Sequence, residues 1–124
     1  MNPDKNYVIQ TDIKFGALEK IDIGAIEKAC DFNWFNQTLC RINDSLLRLR
    51  IFKGEFHWYR HDKQDEFFNV VEGRLFIDFE GHTVDLAPQQ GLVVPRGVKH
   101  RPRVPERTLV LMVEAATVTV TGNS

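Results

Sequence analysis

The sequence lacks several features that would place it in a specialised class of proteins. Only two of its 124 residues are cysteines, Cys30 and Cys40, which is too few for a disulfide framework and fits a reducing compartment. No run approaches the roughly 18 apolar residues that a membrane-spanning helix needs. The first ten residues contain no apolar stretch of the kind that directs secretion. These absences predict a cytoplasmic protein that does not bind membranes.

An excess of charge of either sign is also missing. Sixteen basic and 17 acidic residues leave a formal net charge of −1. A dedicated nucleic-acid-binding domain normally carries a basic excess or a basic stripe, so we expect no nucleic-acid partner. One basic group is interrupted by two prolines and is interpreted as a solvated loop rather than a phosphate site: Arg96, Lys99, Arg101, Arg103 and Arg107.

The chain contains no internal repeat and no linker, and its length is that of one domain. A short helix is predicted over Ile23–Cys30, with Asp22 as its N-cap, because its apolar residues can share one face. From Ser45 onward, short apolar runs alternate with glycine and proline, which is typical of an all-β sandwich or barrel. We therefore divide the chain into an N-terminal arm (1–43), a β-barrel (44–116) and a C-terminal tail (117–124).

Turn residues suggest how the strands connect. Glu72-Gly73 predicts a β-hairpin between strands at 67–71 and 74–79. Glu80-Gly81 predicts a second hairpin into a strand at 83–86. The alternation of threonine and valine over 117–121 predicts either an edge strand or a frayed end.

Histidines and a carboxylate carry the candidate chemistry. Residues two apart in a strand share a face, so an extended segment over 56–61 would project His57, Tyr59 and His61 together, with Phe56 and Trp58 on the opposite face. Glu66 follows a polar bend and would meet His61 from a neighbouring strand. Imidazole and carboxylate are suitable ligands for Zn, Fe, Mn or Ni.

His100 and His82 differ in their surroundings. His100 follows the turn formed by Pro95, Arg96 and Gly97 and can also face the interior. His82 follows Gly81 and is interpreted as a turn residue.

Two short motifs resemble those of the cupin superfamily, and specifically of its small single-domain conserved-barrel proteins. In the first motif, four residues separate His61 from Glu66, and six separate Glu66 from Gly73. In the second, Pro95, Gly97 and His100 stand in the expected order. The resemblance covers about residues 45–115 and implies a double-stranded jelly roll with a short helical arm at its N-terminus.

The resemblance also implies a metal site, with one departure. In metal-binding cupins two histidines of the first motif, its glutamate and the distal histidine hold the ion. This chain keeps His61, Glu66 and His100, but has Tyr59 at the place of the first histidine. Tyr59 can act as a deprotonated ligand, as a neutral hydrogen-bonding group beside the site, or as a packing residue. His57 is a possible substitute ligand.

Three functional hypotheses follow. The first is a protein that binds a divalent metal (Fe, Mn, Zn or Ni) and binds or acts on a small molecule. The second is a metal-free ligand-binding or regulatory barrel in which Tyr59 replaces a lost ligand. The third is an assembly subunit, since cupins commonly form homodimers, and a homodimer is expected here. The resemblance covers enzymes and binding proteins alike, so it does not select a reaction.

Overall fold

The computed structural model describes residues 7–31 and 34–117. One helix and a series of strands account for most of them, so the predicted all-β class is confirmed. Beyond Thr117, the alternating segment predicted as an edge strand lies outside the described residues. The elements are β1 (Tyr7–Gln10), α1 (Ile23–Ala29), β2 (Trp34–Ile42), β3 (Ser45–Glu55), β4 (Glu66–Glu72), β5 (Leu75–Phe79), β6 (His82–Leu86), β7 (Gly91–Val94) and β8 (His100–Ala115).

The long strand β8 organises the sheet. One of its edges pairs with β3, and its other edge pairs first with β5 and then with β4, antiparallel throughout. The strand order is β1-β2-β3-β8-β4-β7, and β5 carries β6 on its far side. Within the described residues β1 and β7 end this path, so the sheet curls into a jelly roll without closing completely. The predicted jelly roll is therefore confirmed.

The first predicted hairpin is wrong, and Gly73 explains why. β4 and β5 do not pair with each other, because each pairs with a different part of β8. Gly73 has a φ of +95°, and a Cβ there would lie 2.9 Å from the Cα of Thr108. The backbone N–H of Arg74 donates to Oγ1 of Thr108 over 3.1 Å. Glycine therefore lets the chain pass tightly against β8 as it crosses between strands, instead of reversing. The second hairpin, β5–β6, is confirmed.

The predicted helix is confirmed, and its N-cap is the expected one. Oδ1 of Asp22 accepts a hydrogen bond from the backbone N–H of Ala25 over 3.0 Å. Apolar residues of the segment 15–30 pack against the outer face of the sheet. Arg107 fastens this contact, since its guanidinium donates to Glu27 over 2.7 Å and to the carbonyl of Cys30 over 3.1 Å.

The N-terminal 43 residues contribute more to the sheet than their sequence pattern suggested. β2 pairs with β3 along its length, and β1 pairs with β2 in parallel. Neither Cys30 nor Cys40 forms a disulfide, and both are half-buried. Among the described residues, no helix has the length and apolarity that a membrane crossing requires.

The predicted solvated basic loop is wrong for most of its members. Arg101 and Arg103 lie within β8, and both donate to the carboxylate of Asp78 on β5. Thr83 donates to the same carboxylate over 2.8 Å. We call Asp78, Thr83, Arg101 and Arg103 the Asp78 clamp. Only Arg96 and Lys99, in the turn before β8, are solvent-exposed as expected.

The inner face of the jelly roll is divided between apolar and polar side chains. The apolar part is a buried cluster of Phe52, Phe68, Val70, Leu75, Ile77, Leu86, Val94, Val104, Val110 and Met112. Burial of such side chains provides the main stabilisation of the fold. The polar part forms the candidate site.

Candidate metal centre

Glu66 lies at the centre of a buried polar cluster. It is the first residue of β4, and its side chain is 2% exposed. Nε2 of His61 lies 3.0 Å from its Oε2, and Nε2 of His100 lies 3.3 Å from its Oε1. The structure thus brings together the three residues that the sequence proposed as metal ligands.

Backbone contacts between two loops position the histidines. Tyr59 and His100 form an isolated antiparallel bridge, in which each backbone N–H donates to the other's carbonyl over 2.9 Å. The N–H of Gly97 donates to the carbonyl of His61 over 2.8 Å. The segment after β3 and the turn before β8 are therefore held together, and both histidines face Glu66.

Glu114 completes the cluster and was not predicted. It pairs in register with Glu66 across β4 and β8, and it is 3% exposed. One donor atom from each of His61, Glu66 and Glu114 lies within 4.8 Å of the other two. The sequence carried a signal for it, since Glu114 has the same strand parity as the buried residues Val110 and Met112.

Two buried arginines line the same face and were also missed. Nε of Arg48 lies 3.1 Å from Oδ1 of Asn36 and 3.4 Å from Oε1 of Glu114. The guanidinium of Arg50 lies 5.2 Å from the ring centroid of Phe56. Both arginines are 3% exposed. The alternation in β3 could have identified them, since it places Arg48 and Arg50 on the face opposite to Leu49, which is buried against the N-terminal segment.

Tyr59 reaches the cluster as a neutral phenol. Its hydroxyl lies 3.4 Å from Oε1 of Glu66, and its ring lies 4.4 Å from that of His100. Burial, and then the charge of Glu66, raise the pKa of Tyr59 far above its usual value. In the metal-free protein the phenol keeps its proton and donates a hydrogen bond to Oε1 of Glu66. The geometry therefore favours the second of its three predicted roles.

His57 lies outside the cluster, because the predicted strand does not continue that far. β3 ends at Glu55, and residues 56–58 are not strand. Phe56 is buried, contrary to the expected alternation, whereas His57 is exposed and lies against the Phe56 ring at 4.2 Å. His82 is also exposed and stacks on Phe79 at the start of β6.

The two carboxyl groups differ in their proton affinity. Burial alone would raise the pKa of Glu66, but its short contacts with His100, His61 and Glu114 lower it well below the usual range. Burial raises the pKa of Glu114, and the neighbouring Glu66 raises it further, although Arg50 and Arg48 act in the opposite direction. Glu66 is therefore the ionised member of the pair, and Glu114 the member that more readily holds a proton.

These short contacts are not well-directed hydrogen bonds. Nε2 of both histidines and Oε2 of Glu66 and Glu114 are buried, yet none makes a hydrogen bond of acceptable geometry to a described residue. Buried polar atoms are rarely left in this condition. Donor atoms that converge without aligning are expected where a cation completes their coordination.

The hydrogen bonding of His100 also favours a bound cation. Its Nδ1 lies 2.9 Å from the carbonyl oxygen of Val98, which can only accept. Nδ1 therefore carries a hydrogen, and in the neutral ring the lone pair of Nε2 faces Glu66. Two acceptors facing each other require a proton or a metal between them. The residues present thus fit a divalent ion bound by nitrogen and oxygen donors.

A surface pocket of about 460 Å³ adjoins the cluster. Glu66 and Glu114 contribute to its wall, and Lys63, Gln64 and Asp65 lie at the same opening. This volume falls within the usual range for small-molecule sites.

Comparisons with known proteins agree with this architecture. The family model Cupin_2, described as a cupin domain, matches residues 51–114. The uncharacterized protein YdbB of Bacillus subtilis is 41% identical over 80 residues, which cover 64% of this chain and 71% of YdbB. The polyketide synthase CurC of Streptomyces cyaneus is 46% identical over 41 residues, which cover 33% of this chain and 27% of CurC.

Solved structures have the same fold. A cupin-2 domain containing protein from Shewanella frigidimarina superposes with a TM-score of 0.73 at 29% identity, covering 77% of this chain and 93% of that one. Protein NMB1881 from Neisseria meningitidis superposes with a TM-score of 0.71 at 24% identity, covering 78% and 99% of the two chains.

Proposed function

Since this chain belongs to the cupin family, we propose that it is a small cupin that holds a divalent metal ion with His61, Glu66 and His100. Glu114 supplies a further oxygen donor, since one of its carboxylate oxygens lies within 4.8 Å of donor atoms of His61 and Glu66. A small molecule binds at this centre. The proposal is supported by one observation above all, namely the convergence of buried histidine and carboxylate atoms that make no directed hydrogen bonds.

The chain's own groups would shape the chemistry around the ion. A bound divalent ion supplies Lewis acidity toward an oxygen atom of the ligand. The carbonyl of Val98 fixes the tautomer of His100, and Tyr59 offers a hydrogen-bond donor beside Glu66. The mixed nitrogen and oxygen donor set suits Fe, Mn, Zn or Ni.

Elemental analysis tests this proposal directly. Protein without a histidine tag is incubated with Fe, Mn, Zn or Ni in turn, desalted and analysed for metal per chain. We expect a stoichiometric ion that is lost in His61→Ala and retained in His82→Ala, which removes an exposed histidine outside the cluster. Metal content that stays far below stoichiometry with all four ions, or that is equal in the two variants, would contradict the proposal.

A metal-free ligand-binding cupin is the alternative, and one contact favours it. The guanidinium of Arg48 lies 3.4 Å from Oε1 of Glu114 and already supplies a cation to the carboxylates. In this case the pocket beside Glu66 and Glu114 binds a small molecule without a metal. The alternative predicts that ligand affinity is unchanged after exhaustive chelation, whereas the metal proposal predicts that affinity falls.

A homodimer also remains a proposal. Phe67 on β4 and Val93 on β7 pair in register and are 36% and 55% exposed. An exposed apolar pair on adjacent strands suits a subunit contact. Sedimentation velocity should show a concentration-dependent dimer, and a monomer throughout the micromolar range would exclude it.

A further inference from the structure

A second pocket lies beside the turn between β5 and β6. Its volume is about 490 Å³, and the described residues that line it are Trp58, Phe79, Glu80, Gly81 and Lys99. This volume is within the usual range for small-molecule sites. The proposed metal centre uses none of these side chains, so the pocket is a separate candidate for ligand binding.

This pocket adjoins the cluster on the side of His100. Lys99 directly precedes His100 in the chain. Trp58 directly precedes Tyr59, whose backbone exchanges two hydrogen bonds of 2.9 Å with that of His100. Phe79 pairs with His100 across β5 and β8, and their ring centroids lie 6.3 Å apart. The strand pairing that positions His100 therefore also sets the shape of this pocket.

Trp58 gives the pocket a ring that is fixed but accessible. The residue is 41% exposed, and the guanidinium of Arg101 lies 5.2 Å from its ring centroid. Arg101 is itself held by Asp78 over 2.9 Å and by Glu55 over 3.4 Å. A cation over its face stabilises an indole that is not buried in the core. The indole is thus held by a neighbour that does not line the pocket, while the indole itself does.

Phe79 provides a second fixed ring. It is half-buried, packs against the apolar core, and stacks on His82 with 5.0 Å between the centroids and 18° between the ring planes. Walls that are already ordered lose little conformational entropy when a ligand binds. Flat apolar walls favour a flat ring, because the ring gains stacking contacts in addition to burial.

The polar side chains of the pocket favour an aromatic ring over a sugar. Glu80 and Lys99 carry opposite charges, so together they add no net charge. Among the described residues that line the pocket, none offers a hydroxyl or an amide side chain. A saccharide needs several such partners, because a polar group that is buried without a hydrogen bond is unfavourable.

We infer that this pocket binds a small uncharged aromatic compound, whose ring packs against Trp58 and Phe79. The inference goes beyond the proposed function, because it requires neither a metal nor the carboxylates Glu66 and Glu114. Lys99, which is exposed, can contact a polar substituent of the ring.

Titration of the full chain, followed by NMR, tests the inference. The probes are phenol and benzamide, their non-aromatic counterparts cyclohexanol and cyclohexanecarboxamide, and glucose. Each is added to protein treated with a chelator. The chain has two tryptophans, so the spectrum of ¹⁵N-labelled protein contains two indole N–H signals, and the signal missing from Trp58→Phe belongs to Trp58. In the variants, affinity is followed at the backbone N–H signal of Gly81, which lines the same pocket.

We expect phenol or benzamide to shift the Trp58 signal saturably, and its non-aromatic counterpart to bind about fivefold or more weakly. Trp58→Leu, which keeps an apolar side chain without a ring, should lose a similar factor in affinity, whereas Trp58→Phe should retain most of it. Phe79→Leu should also weaken binding. Phe76→Leu is the matched control, because Phe76 lies on the same strand but does not line the pocket. If Phe79→Leu does not fold, the Trp58 variants decide.

Several results would overturn the inference. One is that neither aromatic probe shifts the Trp58 signal, or that only the Trp34 signal responds. Another is that glucose or the non-aromatic rings bind as tightly as the aromatic probes, or that Trp58→Leu binds like wild type. If Trp58→Leu weakens self-association in sedimentation while no aromatic probe binds, this surface is a subunit contact instead. Because the protein is metal-free throughout, the metal proposal and this inference can fail separately.

Discussion

The Asp78 clamp and the metal centre are both built from charged side chains on the same sheet, but only the clamp satisfies its hydrogen bonds. Asp78 accepts from Nε and Nη2 of Arg103 over 2.9 Å each, from Nη2 of Arg101 over 2.9 Å, and from Thr83. Glu66 is similarly buried and accepts one long hydrogen bond, from the hydroxyl of Tyr59 over 3.4 Å. Nε2 of His61 and Nε2 of His100 approach it at 3.0 Å and 3.3 Å without hydrogen-bond alignment.

The difference indicates two purposes for buried charge. Fully paired charges hold elements together, and here the clamp joins β5, β6 and β8. Incompletely paired charges cost stability and persist where they serve another role, such as binding an ion or a ligand. The following predictions test whether the clamp is structural and the centre is functional.

The largest effect on stability should come from Asp78→Asn. This substitution keeps the shape of the side chain but leaves Arg101 and Arg103 without their carboxylate, so the free energy of unfolding should fall by about 2 kcal/mol. Urea denaturation measures the change. Asp85→Asn is the matched control, because Asp85 has a similar two-point contact with Arg74 but lies exposed. Equal losses in the two variants would show that the clamp has no special structural role.

Acid should reduce the difference in the free energy of unfolding between wild-type protein and Asp78→Asn. Hydrogen bonds from Arg103 above all, and then from Thr83 and Arg101, outweigh burial and hold the pKa of Asp78 below its usual range. A depressed folded-state pKa stabilises the protein above the unfolded-state pKa of about 4, and this stabilisation disappears as the pH falls further. Denaturation curves between pH 7 and pH 2 should converge for the two proteins. A constant difference would contradict the assignment.

A substitution in the metal centre should change metal binding and leave stability almost unaffected. His61→Leu removes a buried ring whose nitrogens make no directed hydrogen bond, so stability should stay within about 1 kcal/mol of wild type. Metal binding should be lost in the same variant. Thermal unfolding of metal-free protein, with elemental analysis alongside, measures both. A loss of unfolding free energy as large as that of Asp78→Asn would show that His61 is a structural residue.

The smallest effect is expected at Tyr59. Tyr59→Phe removes a weak contact with Glu66 and should lower metal affinity by about tenfold at most, as for other groups that orient ligands. Tyr59→His restores the residue implied by the family resemblance and should raise metal affinity. Competition with a metallochromic chelator measures both variants. An unchanged affinity in Tyr59→His would show that this position lies out of reach of the ion.

Much of the fold was readable in the sequence, because it depends on local pattern. The helix over Ile23–Ala29 and its cap at Asp22 follow from apolar spacing and a capping side chain. The β5–β6 hairpin follows from a glycine turn. The failed hairpin at Gly73 shows the limit of such signals, since a turn residue specifies a bend but not which strand will pair afterwards.

The candidate site was only partly readable. His61, Glu66 and His100 stand out because two motifs mark them. Arg50 and Glu114 lie in apolar strands with no motif around them, and only the register of β3, β4 and β8 brings them to the same place. His57 was misplaced because the regular alternation of a strand does not extend beyond the end of β3.

By itself, the sequence determined the β class, the jelly roll and three candidate ligands, because strand alternation, turn residues and motif spacing act over short distances. The tertiary structure decided which charges meet. Asp78 and Arg103 are 25 positions apart and pair completely, whereas Glu66 and Glu114 are opposed across two strands and share a buried space with two arginines. That juxtaposition depends on long-range register, and it separates a structural ion cluster from one suited to binding.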